Sequence, residues 1–326
     1  MRCFLKFMLV CLATCFFTSV YAGTFETGKK LYDQNKFSQA YPYLKKAAYD
    51  GNPKAAYALG YMYQHGYGVK KDNQKAFLFF LEAARQGNSK GEFGLGYMYE
   101  HGLFVQKDNI KARIWYEHSA RQGNSMAQAN FGSMLAEAGG EKNEKLAFEW
   151  NMKSALQGNE IGQHNIAYFY EKGLGTKKDL NEARKWYAKA VAQKNRGAKT
   201  NLGILYLEGK GGPKDQQKGV ALIKEAAKEG SKAAQYTLAN LYADGEGVPQ
   251  SDEQALYWFN KAAENDSALA MDRLANAYLN GNYGLEKSPV KWDYWQKRAK
   301  ETRARTHEVD PSGWSIFDWI KYKLTN

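Results

Sequence analysis

One small residue recurs at an almost constant interval along most of this chain. Glycine or alanine returns after 36, 36, 35, 36, 36 and 36 residues. The positions are Gly60, Gly96, Gly132, Ala167, Gly203, Ala239 and Ala275. A fixed period of this length indicates a repeat protein, in which each structural unit packs mainly on its neighbours.

Three other positions of each repeat recur at fixed distances from that small residue. The residue three places later is Tyr in six of the seven repeats, with Leu135 as the exception. The residue one place before is large and apolar, and the residue five places before is Ala or Gly. Because these positions are four residues apart, they share one face of a helix. The pattern predicts a first helix that buries this face.

A second group of positions predicts a second helix in each repeat. In the first repeat Ala76 is followed by Phe79 and by the small pair Ala83-Ala84. Glycine follows at the position where a left-handed residue commonly ends a helix. A glycine-rich turn, residues 66–72, joins the two helices. It allows positive φ angles, supplies a Val to fill the gap between the helices, and ends on an Asp that caps the second helix.

These columns resemble the Sel1-like repeat family, longer-looped relatives of tetratricopeptide repeats. The resemblance covers residues 53–302 as seven repeats, of which the third is one residue short. It implies an all-α fold in which antiparallel helix pairs stack into a right-handed α-solenoid. Residues 23–52 have a shorter turn, so we expect a tetratricopeptide-like pair that caps the N-terminal end.

Residues 1–22 have the pattern of a signal peptide. Arg2 and Lys6 precede an apolar stretch, and Ala22 is a suitable residue before the cleavage site. The apolar stretch is shorter than the about 20 residues that a spanning helix needs. We expect cleavage after Ala22, export to the periplasm or out of the cell, and no transmembrane segment in the mature chain. An uncleaved anchor and a lipoprotein modified at Cys15 are the alternatives.

The composition of the mature chain limits its chemistry. The cysteines Cys3, Cys11 and Cys15 all lie in the leader, which excludes a disulfide framework, a thiol nucleophile and a Cys-bound zinc. Loss of Arg2 and Lys6 lowers the formal net charge from +12 by two, to +10. The remaining positive residues are scattered, which is typical of a solvated surface, and export disfavours nucleic acid as a partner.

No catalytic or cofactor motif is recognisable. His65 and His101 occupy the same repeat position, but no third ligand is spaced to complete a metal site. The segment Gly209–Lys214 lacks the preceding strand and the Lys-Ser/Thr ending of a phosphate loop. Some bacterial relatives with cysteine-laced repeats are linked with β-lactams, and the cysteine-free mature chain does not share that feature. We therefore expect no enzyme activity, no metal and no cofactor.

The opposite face of the first helices is the candidate binding surface. In tetratricopeptide-like stacks it lines a concave groove, and here its N-terminal part combines rings with positive charge. The candidate residues are Lys54, Tyr57, Tyr61, His65, Lys90, Phe93, Tyr97, His101 and Tyr168, with Phe25, Lys29 and Tyr32 as an N-terminal extension. Aromatic anchors beside positive charge are typical of surfaces that recognise peptides. The alternative is that Tyr61 and Tyr97 only brace neighbouring repeats.

Residues 303–326 fall outside the period. Trp314, Phe317 and Ile320 lie close to one helical face after a break at Pro311. A helix that caps the last repeat is the favoured interpretation, because solenoids need their terminal apolar face covered. Docking to a membrane surface or to a partner is the alternative.

The sequence thus predicts an exported scaffold that binds a protein or peptide partner in its groove, with host-cell contact as one setting. The first alternative is a modulator of a periplasmic cell-wall enzyme. The second is an enzyme that acts on cell-wall material or β-lactams.

Overall fold

A computed structural model describes residues 23–306, and these residues form helices and turns without a strand. The predicted leader and the segment with Trp314, Phe317 and Ile320 lie outside the described residues. The helices are α1 (residues 23–33), α2 (Phe37–Tyr49), α3 (Pro53–His65), α4 (Asn73–Arg85), α5 (Ser89–His101), α6 (Asn109–Arg121), α7 (Ser125–Ala138), α8 (Glu141–Leu156), α9 (Glu160–Lys172), α10 (Leu180–Ala192), α11 (Arg196–Glu208), α12 (Gln216–Lys228), α13 (Lys232–Asp244), α14 (Asp252–Glu264), α15 (Ala268–Asn280) and α16 (Pro289–Thr306).

The predicted all-α architecture of consecutive helix pairs is confirmed. The chain divides into two compact units, unit 1 up to Phe131 and unit 2 from Gly132. Within each unit, short connections join helices that pack side by side, which makes neighbours antiparallel. α16 continues to Thr306, so the predicted boundary between residues 302 and 303 falls inside a helix.

Polar side chains begin the helices, and Asp72 does so at the position that the sequence predicted. The Asp72 carboxylate accepts a hydrogen bond from the amide of Lys75 at 3.0 Å, at the start of α4. The Asn88 side chain accepts one from the amide of Gly91 at 3.0 Å, at the start of α5. Each cap satisfies an amide that the helix itself leaves without a partner.

The recurring small residue exists because a large side chain of the second helix lies against it. A Cβ atom added at Gly60 would lie 2.6 Å from the ring of Phe80, and one added at Gly96 would lie 2.6 Å from the ring of Tyr116. In unit 2, a Cβ atom at Gly203 would lie 2.7 Å from Ile223. These separations are shorter than van der Waals contact, so the first helix approaches the second more closely than a side chain would allow.

The turn between the helices also needs glycine for close approach. Gly68 has a φ angle of 67°, and a Cβ atom there would lie 2.5 Å from the backbone carbonyl carbon of Phe37. The turn of this repeat therefore rests directly on the start of α2 in the preceding pair. Val69 packs against the adjoining cores, as predicted.

A column of buried polar residues, which the sequence analysis did not identify, follows the always-small position of the first helix. Its members include Glu92, Gln128, Gln163, Lys199 and Gln235. Each of them uses a hydrogen bond to the second helix of a pair or to the residue that ends it. Lys199 shows the principle, because its ammonium group donates to the carboxylates of Glu225 and Glu229 at 2.5 Å each. Burial lowers the Lys199 pKa, but these two acceptors outweigh it and the pKa is raised.

Over residues 23–306, no helix combines the length and the apolar character that a membrane crossing requires.

The contact between small residue and ring makes a stability prediction. Gly96→Ala should lower the free energy of unfolding by about 1–3 kcal/mol, because the new methyl group overpacks the buried Tyr116 ring. Urea unfolding followed by circular dichroism measures the change. Gly197→Ala is the matched control, since its nearest neighbour is the side-chain tip of His164 at 3.3 Å and alanine favours the helix. Equal effects of the two substitutions would contradict this account of the repeat.

Candidate functional site

A cavity of about 330 Å³ opens in unit 1 between α1, α3 and the start of α5. Its apolar lining includes the side chains of Phe25, Leu44 and Tyr57. The lysines Lys29, Lys54 and Lys90 contribute to the same lining. The remaining lining residues are Tyr32, Asp33, Ala58, Asn88 and Ser89. Six of the twelve residues named from the sequence thus meet in one cavity: Phe25, Lys29, Tyr32, Lys54, Tyr57 and Lys90.

The repeat itself places two of the lysines at this cavity. Lys54 and Lys90 are the second residues of α3 and α5, one period of 36 residues apart. Capping by Asn52 and Asn88 fixes where each helix starts, and therefore where each lysine leaves the backbone. Both lysine side chains are exposed, whereas Phe25 and Leu44 are buried.

The charge around the cavity is predominantly positive. The Lys29 ammonium group pairs with the Asp33 carboxylate at 2.6 Å, so these two charges largely offset each other. The Lys90 ammonium nitrogen lies 5.7 Å from the centre of the Tyr57 ring, within range of a cation–π contact. Lys54 and Lys90 therefore set the sign of the local potential.

The tyrosines of the cavity remain neutral over the physiological pH range. Burial raises the pKa of Tyr57 to about 12, and the neighbouring Tyr61 adds to the shift. Burial also raises the pKa of Tyr32 well above its ordinary value. Both rings thus present an apolar surface with a hydroxyl group that can donate or accept a hydrogen bond.

Tyr61 and His65 belong to a separate group of rings on α3 and its turn. Their ring centres are 4.2 Å apart, and His65 is followed by Tyr67 at 5.3 Å. Tyr67 stacks on Phe37 at 4.9 Å, which joins the group to α2. Burial, with help from the charge of Lys71, lowers the pKa of His65 and favours the neutral imidazole.

The candidate residues Phe93, Tyr97 and His101 on α5 contact rings of α5 and α6. Phe93 lies 5.5 Å from Tyr116, so part of its ring surface packs against the second helix. The Tyr97 and His101 rings stack at 4.0 Å, and Nδ1 of His101 lies 3.0 Å from the Tyr97 carbonyl oxygen. Tyr97 thus contacts its own helix, and Phe93 braces the helix pair.

Tyr168 lies in unit 2, beside a second cavity of about 280 Å³. The Lys172 ammonium group lies 5.6 Å from the Tyr168 ring centre and 2.6 Å from the Glu171 carboxylate. Glu171 also accepts a hydrogen bond from the Tyr187 hydroxyl at 2.8 Å. Most charged side chains of this cavity are thus paired with one another, whereas Lys54 and Lys90 at the cavity in unit 1 have no acidic partner among the lining residues.

The lining residues Asp33, Leu44, Asn88 and Ser89 were not predicted from the sequence. Leu44 lies on the buried face of α2. Whether it borders the cavity depends on how α1 packs against that helix. Asn88 and Ser89 form the start of α5. Nothing in their repeat positions indicated that this start borders a cavity.

Among the described residues, no group of three or more His, Cys, Asp or Glu side chains is placed to hold a metal ion. The site therefore offers rings, lysines and backbone rather than metal ligands.

The profile of the Sel1 repeat matches most of the chain. The chain belongs to the Sel1 repeat family. The matched segments are residues 23–52, 53–88, 89–124, 125–159, 161–195, 197–231, 232–267 and 268–291. The profile thus also covers the pair that we interpret as an N-terminal cap. Sel1 repeat proteins commonly serve as non-catalytic scaffolds for protein–protein interaction.

Solved structures include similar Sel1 repeat proteins. The Escherichia coli protein c5321 is described as a protective antigen of uropathogenic strains that displays an SLR fold. It is 31% identical, with a TM-score of 0.72 over 93% of this chain and 67% of that one. A Sel1 repeat protein from Oxalobacter formigenes is 30% identical, with a TM-score of 0.45 over 85% of this chain and 99% of that one. A search of curated proteins gave no match.

The Tyr57 environment predicts a pH dependence. Above pH 10 the unfolded chain loses the Tyr57 proton, while the folded chain retains it until about pH 12. The unfolded state is then favoured, so stability falls as the pH rises from 10 towards 12. Between pH 9 and pH 11, the free energy of unfolding of Tyr57→Phe should fall by up to about 1 kcal/mol less than that of the parent chain. Urea unfolding at the two pH values measures this, and an identical loss in both proteins would contradict it.

Proposed function

We propose that this Sel1 repeat protein is an exported scaffold that binds an extended segment of a partner polypeptide at the cavity in unit 1. The observation that carries the proposal is the convergence of rings and lysines from α1, α3 and α5 on one opening. Large rings supply contact area at a small entropic cost, and positive charge guides a complementary segment into register.

Export is supported by the pattern of residues 1–22, in which Arg2 and Lys6 precede an apolar stretch that ends before Ala22. The description of the E. coli relative as a protective antigen is in keeping with a protein that reaches the cell exterior. We therefore favour a partner in the envelope or on a host cell over a partner in the cytoplasm.

A substitution in the cavity tests partner binding. Tyr57→Ala removes a ring from the lining and should abolish capture of the partner by immobilised residues 23–326. Tyr57→Phe retains the ring and should capture normally. The measurement is affinity capture with identification of the retained proteins, and helical circular dichroism confirms that each variant is folded.

Tyr49→Ala is the matched control, because the Tyr49 ring is 73% exposed on α2 and is not part of the cavity. It should leave capture unchanged. Capture that survives Tyr57→Ala in a folded variant, or that is lost equally with Tyr49→Ala, would contradict the proposed site.

Fractionation separates a host-directed adaptor from a modulator of a periplasmic enzyme. The adaptor would be found in the culture medium or on the cell surface, and the modulator in the periplasm. Retention of the uncleaved chain in the cytoplasm would contradict export altogether. Turnover of peptidoglycan or of a β-lactam by the purified chain would contradict a scaffold without catalytic activity.

A further inference from the structure

The cavity in unit 1 has a defined size and an apolar interior. Its volume of about 330 Å³ is sufficient for a large side chain of a bound segment. Phe25 is 9% exposed and Tyr57 is partly exposed, and both pack against the fully buried Leu44, so the apolar part of the interior is already formed. A cavity of this kind fits one large apolar side chain of a bound segment, because water inside it makes poor contacts with the apolar lining.

The opening of the cavity is positively charged. The Lys54 and Lys90 side chains stand one repeat apart on exposed first turns, while the remaining lysine of the lining is paired with Asp33. The positive end of the α5 helix dipole borders the same opening, since α5 begins at Ser89. Both contributions favour a negative group on the ligand, and Asp33 is already engaged by Lys29.

We propose that this cavity binds a partner segment in which a large apolar side chain lies within two residues of an Asp or Glu. The apolar side chain enters between Phe25 and Tyr57, and the carboxylate lies against Lys54 and Lys90. This inference rests on the proposed function and adds the chemistry of the segment to it. It assigns specificity to two exposed lysines, Lys54 and Lys90.

The spacing of the lysines favours an acidic side chain within the segment over a free C-terminus. Lys54 and Lys90 begin successive first helices, so the positive charge extends along the groove rather than closing around its end. A chain that passes over the cavity can place a carboxylate beside either lysine. Such exposed charge pairs are weak individually and are screened by salt, so the preference should be strongest at low ionic strength.

Selection from a random peptide library tests the inference without knowledge of the natural partner. Peptides flanked by Gly-Ser on both sides are displayed and selected on immobilised residues 23–326 at low salt. We expect enrichment of sequences with Phe, Leu, Trp or Met next to, or one residue away from, Asp or Glu. Synthetic versions with an amidated C-terminus should bind as well as versions with a free carboxylate, and their binding should weaken about tenfold as salt rises.

A charge reversal provides the discriminating variant. Lys54→Glu combined with Lys90→Glu should switch the enriched flanking residue from Asp or Glu to Lys or Arg, with the apolar residue retained. Lys30→Glu combined with Lys70→Glu is the matched control, because both residues are exposed and neither lines the cavity. The control should select the same acidic sequences as the parent chain.

The outcomes separate the inference from the proposed function. Apolar sequences that bind at Tyr57 without an acidic neighbour would overturn the inference and leave the proposed function intact. The same holds for binding that requires a free C-terminus. If no peptide is enriched, or if enriched peptides bind the folded Tyr57→Ala chain equally well, both the inference and the proposed site are overturned.

Discussion

The contact between a side chain of the second helix and a small residue of the first helix sets how closely the two helices of a repeat approach. In unit 1, Phe80 lies so close to Gly60 that a single added carbon would overlap its ring. Tyr116 has the same relation to Gly96. Because the two helices can approach this closely, the core is dense without disulfides or bound metal among the described residues. Glycine at positions 60, 96 and 203 is therefore a packing requirement, and helix propensity, which disfavours glycine, is overridden there.

This core contact also supports the candidate site. Phe80 reaches both α3 and α5, since a Cβ atom added at Gly94 would lie 2.7 Å from its ring. The ring centre of Phe80 lies 6.0 Å from that of Tyr57, which lines the cavity. The positions of Lys54 and Lys90 then follow from the starts of the two helices that Phe80 holds. Packing of the repeats thus fixes where the helices around the cavity begin. The side chains at its opening then determine what binds there.

Periodicity predicted the helices and their caps well, because those features depend on local spacing. The small column, the turn glycines and the capping Asp72 were all readable from residues that recur every 35 or 36 positions. The groove residues were readable only as a set that shares a face. Which of them meet depends on ring contacts between elements, such as the contact of Phe93 with Tyr116 and the stacking of Tyr67 on Phe37. The buried polar column at Glu92 and Lys199 was detectable as a repeat position, but its partners lie about 30 residues away and become visible only in the fold.

Hydrogen exchange of the chain with and without its captured partner tests the location of the site most directly. The account predicts slower exchange of backbone amides in α1 and in the first turns of α3 and α5, with little change in α4 and α6. Protection confined to the second helices, or to residues 132–306, would contradict a binding site at the cavity of unit 1.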